Sequence, residues 1–285
     1  MSMLYVVATP IGNLEDLSPR AVAVLRSADL ILAEDTRVTM KLCQVFDFHA
    51  PLISCHRHNE GFKARGLAER ILQEDLTAAL VTDAGTPCIS DPGNEAVAAC
   101  LDAGVPVTPI PGCCAGIAAV SISGFDAREF AFYGFLPRER KALKEKLRAL
   151  SAGPRVAVLH ESPHRIIHLT ETVQEVYPDC RMTVCCDLTK KFEQTIYGHP
   201  ELILERLRNN EKTEKGEYCV VIELPENAGE REETPEKECS LEAKLIEKMK
   251  EGASLREAQE QLCAAGEKKN AVKQAALTLK KLFEP

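Results

Sequence analysis

The stretch Ala78-Ala-Leu-Val-Thr-Asp-Ala-Gly-Thr-Pro-Cys-Ile-Ser-Asp-Pro-Gly93 joins an apolar run to a loop built from turn residues. The run at 78–82 shows no polar alternation, which predicts a strand covered on both faces, as in a parallel sheet flanked by helices. The loop that follows, 83–93, is eleven residues long, where strand–helix connections usually take about 2–6 residues. Ligands of open α/β sheets bind in the crevice beyond the carboxyl ends of the strands. Gly85 and Gly93 allow positive φ and close backbone approach, and Thr86, Ser90 and Asp91 carry groups that can meet a nucleoside. The same residue types make ordinary turns; the unusual length favours a binding loop.

On both sides of this stretch, short β-branched runs alternate with helical patterns. Strands are expected at 4–8, 30–33, 52–55 and 105–110, and helices at 19–28, 36–46, 60–72, 95–103 and 115–123. Ser18 offers an N-cap to the first helix and Pro19 suits its first position. Such regular alternation predicts a parallel, helix-covered sheet. After a boundary near 120–135 a second series begins. Its strands are expected at 129–135, 156–160, 182–186 and 218–224, and its helices at 138–150, 164–176 and 201–207.

Residues 225–240 carry six Glu against Arg231 and Lys237, with two Pro, and read as a solvated linker. Three short helices follow, at 241–250, from 254 to about 266, and at 271–282; Ser254 with Glu257 has the pattern of a capping box. The expected organisation is therefore an α/β domain at 1–125, a second at 126–225, an acidic linker at 226–240 and a small helical unit at 241–285.

An apolar share of 45% with 27% charged residues is that of an ordinary globular chain of about two domains. There is no apolar run of about 18 residues, so no membrane span is expected. No basic leader precedes the first strand, so a cytoplasmic protein is expected. The twelve cysteines include the adjacent pairs Cys113-Cys114 and Cys185-Cys186 and contain no Cys-x-x-Cys. They read as reduced, structural cysteines, with no metal site. A net charge of −8 gives no global attraction to nucleic acid, so any such binding has to come from local patches.

Two further loops fall at matching places, 8–13 after the first strand and 109–112 after the fifth. Neither matches Gly-x-Gly-x-x-Gly or a phosphate loop, which disfavours nicotinamide and nucleoside-triphosphate chemistry. Together with 83–93 they put three Gly/Pro turns at one edge of one sheet.

These loops resemble those of the tetrapyrrole methylase superfamily and, within it, the group of small-subunit ribosomal RNA methyltransferases I. The resemblance is carried by Thr9-Pro-Ile-Gly-Asn-Leu-Glu-Asp16, Ala33-Glu-Asp-Thr-Arg37, Ser54-Cys-His-Arg-His-Asn-Glu60 and Thr82–Gly93, and then by Pro109-Ile-Pro-Gly112, Tyr133-Gly-Phe-Leu-Pro137, Glu161-Ser-Pro-His-Arg165 and Leu188-Thr-Lys-Lys-Phe-Glu193. Cys113-Cys114 departs from the Pro-Ser usual after the Pro-Gly turn. The resemblance implies two α/β domains with a cleft between them that holds S-adenosyl-L-methionine. It also implies methyl transfer to a cytidine 2′-hydroxyl of 16S ribosomal RNA in the 30S particle, and a homodimer. By position it makes Ile11, Thr86, Ile89, Cys114 and Ala115 cofactor contacts from the first domain, with Glu161, Leu188 and Thr189 from the second; Gly85, Ser90 and Asp91 of the 83–93 loop are added as contacts on the reading of that loop.

A ribose hydroxyl is a poor nucleophile, so a nearby base or cation helps. Asp35 can accept a hydroxyl hydrogen bond and Arg37 can hold a phosphate; alternatively they form a capped helix start with an internal ion pair. Ser162 can cap a helix, from whose anion-favouring end His164 and Arg165 project toward a phosphate. Lys190 and Lys191 are either an exposed pair or part of an RNA track. His56 and His58 are as compatible with a surface role as with substrate contact. The segment 138–148 sets six Lys/Arg against Glu139 and Glu145, either a solvated helix face or an RNA contact. The helical unit ending Lys280-Lys281 is either a further grip on RNA or a packing element. Two other functions stay open at this level: methylation of a tetrapyrrole ring, and ribosome assembly without chemistry.

Overall fold

The computed structural model describes residues 2–55, 60–226 and 240–283. His56, His58 and the acidic stretch 227–239 lie outside the described residues. The chain divides into two compact units, 1–229 and 230–285.

In the first unit, β1 (Met3–Val7), β2 (Leu30–Ala33), β3 (Leu52–Ser54), β4 (Thr77–Val81) and β5 (Val107–Ile110) form an all-parallel sheet in the order β3-β2-β4-β1-β5. The apolar runs explain the pairing: every residue of β2 and Ala78, Ala79, Leu80 and Val81 of β4 are buried, so both faces need covers. One face packs Leu25, Ile31 and Ala79 under α1 (Pro19–Ser27) and α2 (Thr36–Phe46). The other packs Leu32, Ile71 and Leu80 under α3 (Glu60–Gln73) and α4 (Asn94–Asp102). Ser18 caps α1 by accepting the Ala21 N–H, with Pro19 in the first turn. These bounds fall within about two residues of the expected ones.

A second sheet in the same unit follows α5 (Ala115–Ser121). It comprises β6 (Phe130–Phe135), β7 (Val156–Glu161), β8 (Arg181–Cys186), β9 (Gln194–Gly198) and β10 (Tyr218–Glu223), ordered β6-β7-β10-β8-β9. Only β6 and β7 run parallel; β10 is antiparallel to both its neighbours, and β8 to β9. The edge strand β9 was not expected. Its Gln-Thr-Ile-Tyr-Gly sequence is β-prone but half exposed, too short and polar to stand out. Helix α6 (Arg140–Ala149) starts after Glu139, whose carboxylate accepts the N–H groups of Lys141 and Ala142.

Helix α7 (Ile166–Val176) starts two residues later than expected. Residues 162–165 form a turn in which the Ser162 carbonyl accepts from the N–H groups of Arg165 and Ile166, so Ser162 is not an N-cap. Helix α8 (Pro200–Arg208) completes the cover.

The second unit has three helices, α9 (Leu241–Lys250), α10 (Leu255–Ala264) and α11 (Lys269–Phe283), around Leu245, Ala258, Leu262, Val272 and Leu279. The capping box forms: Ser254 accepts the Glu257 N–H and Glu257 reaches back to the Ser254 N–H. The cysteines among the described residues form no disulfide, and burial pushes the thiols of Cys180 and Cys219 up to about 12. No helix among the described residues is long and apolar enough to cross a membrane.

Gly93 has φ +129°, and a Cβ there meets Leu80 Cδ2 at 2.7 Å and Cys88 Sγ at 2.9 Å. Because that φ suits glycine alone and the space is already filled, Gly93→Ala is expected to cost about 1–3 kcal/mol, read as a lower urea midpoint at unchanged slope.

Candidate active site

The candidate site is built from the carboxyl ends of β2, β4, β1 and β5. Thr9 and Gly85 exchange backbone hydrogen bonds of 2.8 and 3.1 Å, locking the loop after β1 to the loop after β4. The Thr9 hydroxyl donates to the Thr82 carbonyl at 3.1 Å, and the Thr86 hydroxyl to the Cys113 carbonyl at 2.9 Å. Glu34 accepts the Thr82 hydroxyl at 2.6 Å, and Asp83 accepts the Asp35 N–H at 3.1 Å. Four loops far apart in sequence thus share one hydrogen-bonded framework.

A cavity of about 270 Å³ opens beside it. All eight residues expected to touch cofactor from the first series line it: Ile11, Gly85, Thr86, Ile89, Ser90, Asp91, Cys114 and Ala115. The opposite wall comes from the second sheet, through Phe130 and Phe132 of β6 and Val158 and His160 of β7. Sequence reading missed this wall, although the period-two alternation of 130/132 and 158/160 was there to read. Gly116 also lines the cavity, and a Cβ there meets Phe132 and Val158 at 3.5 Å. Of the three contacts expected from the second series, Leu188 packs in one cluster with Ile11 and Ala115. A Cβ on Gly12 meets Thr189 Oγ1 at 3.0 Å. None of the three, Glu161 included, lines the cavity itself.

Two buried polar atoms on this side, His160 Nε2 and Thr189 Oγ1, have no hydrogen-bond partner. Buried polar groups are nearly always paired, so His160 Nε2, in the cavity wall, fits a bound ligand with polar edges, while Ile89, Phe130, Phe132 and Val158 suit its apolar parts. The residues present therefore fit a nucleoside-bearing cofactor of the sulfonium type. Phe132 and Phe135 meet the His160 ring edge-on at 5.0 and 5.8 Å between centroids, and burial lowers its pKa from the ordinary value.

The expected substrate residues are more tied than their motifs foretold. Asp35 caps α2 through the Arg37 N–H and forms a 2.6 Å ion pair with its guanidinium; Arg37 holds that carboxyl down at about 2. Asp83 is the opposite case, raised above the usual carboxylate range by burial and then by Glu34 and Asp35 nearby.

Arg165 does not project toward a phosphate. Its Nη2 donates to the Leu136 and Pro137 carbonyls at 3.1 and 3.0 Å and lies 3.2 Å from buried Glu161. Burial raises the Glu161 carboxyl. His164 is exposed at the turn. Lys190 pairs with Asp187 at 2.9 Å and Glu217 at 3.0 Å. On α6, Arg140 and Lys144 both pair with Glu175; Lys141, Lys146 and Arg148 on the helix and Arg138 just ahead of it are exposed, with Lys146 over the Tyr133 ring.

The sequence profile of the tetrapyrrole (corrin/porphyrin) methylases matches residues 3–201. The chain belongs to the tetrapyrrole methylase family. Within the family it is 44% identical over 222 residues to a ribosomal RNA small subunit methyltransferase I of Escherichia coli O157:H7, covering 77% of each chain. It is 41% identical over 227 residues to the protein of the same name in Bacillus subtilis, covering 80% of this chain and 77% of that one. Among solved structures it is similar to the uroporphyrin-III C-methyltransferase of Thermus thermophilus complexed with S-adenosylhomocysteine, at TM-score 0.52 and 17% identity over 77% of this chain and 96% of that one. Similarity to a diphthine synthase has TM-score 0.56 at 14% identity, over 80% and 93% of the two chains. At such identities the structures establish the shared family fold.

The lowered pKa of His160 has a stability consequence. The unfolded chain binds a proton on this imidazole more readily than the folded one, so this group lowers stability as pH drops below 6.5 and has no effect above it. In His160→Phe, the decline of Tm below that pH is expected to be shallower than in the wild type, as read by calorimetry across an acid series.

Proposed function

We propose that this chain transfers a methyl group from S-adenosylmethionine to the 2′-hydroxyl of a cytidine in 16S ribosomal RNA. The observation that carries the reading is the convergence of all eight expected first-series contacts on one cavity, joined to more than 40% identity with relatives named for small-subunit ribosomal RNA methylation. When bound, the cofactor supplies an electrophilic methyl group on a sulfonium. The apolar wall of Phe130, Phe132 and Val158 excludes water from it, and the strand-end loops fix its orientation. In-line displacement gains chiefly from such positioning.

Asp35 and Asp83 carry different protonation chemistry at the same edge. Their environments push the two carboxyls apart, the pattern that divides structural from acid–base roles. Asp35, saturated by Arg37, holds the loop; Asp83 is the group suited to accept the ribose hydroxyl proton. Arg37 is 88% exposed at its side chain and available to a phosphate on its outer edge. Exposed Arg138 ahead of α6 and Lys141, Lys146 and Arg148 on it, and the net +2 of residues 242–285, support RNA contact by α6 and by the helical unit.

The substrate is taken as the assembled 30S particle and the setting as the cytoplasm, in keeping with the family reading. Division of the first unit into domains at 1–125 and 126–225 follows the two sheets. Exposed Leu14, Val38 and Val45, which line one hollow with Leu42, make an apolar patch of the kind that marks association and support a homodimer.

S-adenosylmethionine at 100 times its Kd is expected to stabilise the fold by about 2.7 kcal/mol, read as a rise in Tm that Thr86→Trp abolishes. Ribose-methylation mapping of small-subunit RNA from cells lacking the protein is expected to show one cytidine unmethylated. An unchanged map with loss of a methylated tetrapyrrole overturns the RNA reading.

Asp83→Asn is expected to lower kcat by about 10²–10⁴-fold and to remove the loss of activity that the wild type shows as acid protonates this carboxyl. The cofactor-induced rise in Tm is expected to persist. Single-turnover methyl transfer across a pH series measures both.

A further inference from the structure

Phe192 is an aromatic ring left in solvent, 62% exposed. It sits in the β8–β9 connection, and that connection is a closed turn. Asp187 and Thr189 take left-handed φ of 53° and 67°. The Lys190 N–H donates to the Asp187 carbonyl at 2.9 Å and the Glu193 N–H to the Lys190 carbonyl at 3.0 Å. Glu193 in turn accepts the Thr189 N–H at 2.5 Å. The turn is braced from outside by the Asn210–Gln194 hydrogen bond of 3.2 Å and by the close approach of Gly216 to Asp187. Phe192 is therefore presented from a fixed position.

Two cations attend the ring. Lys212 Nζ lies 4.6 Å and Lys191 Nζ 5.7 Å from its centroid. Among the described residues neither lysine has an ion-pair partner, in contrast to Lys190 beside them. An exposed aromatic face with unneutralised cations at its edge is what proteins offer to unpaired nucleobases: the base stacks on the ring and the cations meet the flanking phosphates. The same turn touches the cofactor side of the molecule, since a Cβ on Gly12 meets Lys190 Cγ at 2.4 Å and Thr189 Oγ1 at 3.0 Å, next to Ile11 in the cavity wall.

We propose that Phe192, with Lys191 and Lys212, is a stacking platform for an unpaired base that flanks the methylated nucleotide. The inference rests on the ribosomal RNA reading above and deepens it. Holding a neighbouring base splayed from the stack orients the target ribose toward the cleft. Lys191 and Lys212 exchange the ring for phosphate when RNA arrives.

The chain contains no tryptophan, so Phe192→Trp installs a single tryptophan in the full-length protein, whose emission is excited selectively at wavelengths where tyrosine does not absorb. Titration with a short single-stranded RNA is expected to quench it, and an abasic ribose-phosphate oligomer of the same length is expected not to. Phe192→Ala is expected to weaken RNA binding by about 5- to 100-fold, and to lower kcat/KM for small subunits while the cofactor-induced rise in Tm is unchanged. Phe192→Tyr is expected to restore it. The double variant Lys191→Gln, Lys212→Gln is expected to flatten the salt dependence of RNA binding. Equal quenching by the abasic oligomer, or an unchanged kcat/KM in Phe192→Ala, overturns the platform. If the wild type methylates no small-subunit RNA and base-dependent quenching persists, the platform stands and the methyl-acceptor reading falls.

Discussion

Thr9 and Gly85 exchange two backbone hydrogen bonds, and without that clasp the strand-end loops have no common anchor. Parallel strands end with backbone groups pointing past the sheet, and each group must find a partner once buried. Here the partners come from neighbouring loops. Thr82 reaches Glu34, Thr86 reaches the carbonyl of Cys113, and Asp83 takes the N–H of Asp35. Satisfying the backbone and shaping the crevice are the same event. The glycines matter because close approach is the point: a Cβ on Gly112 meets Ala8 Cβ at 2.9 Å.

The charged motif residues divide by what surrounds them. Arg165 closes the turn at 162–165 onto Leu136 and Pro137 and balances buried Glu161. Removing one partner from such a buried pair typically costs about 3–5 kcal/mol, so its place in a sequence motif reflects architecture as much as chemistry. Lys190, gripped by Asp187 and Glu217, stiffens the β8–β9 turn in the same way. The groups left for substrate are those without such partners, Phe192 and its lysines among them. Asp83 differs from Asp35 because partial desolvation and the nearby Glu34 and Asp35 carboxylates raise it, whereas Asp35 lies against a guanidinium.

The parallel sheet was readable because strands buried on both faces leave uninterrupted apolar runs, as in Leu30–Ala33 and Thr77–Val81. Helix starts were readable where a side chain does the capping, at Ser18 and Ser254. The reading failed at Ser162, where the same cap-like pattern serves a turn fastened by Arg165. It failed also at β9, an edge strand whose exposure removes the apolar signal. The antiparallel course of β8, β9 and β10 carries no local mark, since pairing direction is a property of the assembled sheet.

Local residue order was sufficient for the strand-end loops and for the first-series residues that line the cavity. Loop length, glycine placement and apolar runs act over a few residues, and the physics that fixes them is equally local. The second wall of the cavity was a different matter. Phe130, Phe132, Val158 and His160 meet the loops of the first sheet only after two sheets have folded and faced each other. Burial, which sets the protonation of His160 and Asp83 apart from ordinary values, is likewise a consequence of distant chain segments excluding water. Desolvation and ion pairing depend on what arrives from elsewhere in the chain, so they were settled by packing and not by sequence neighbours.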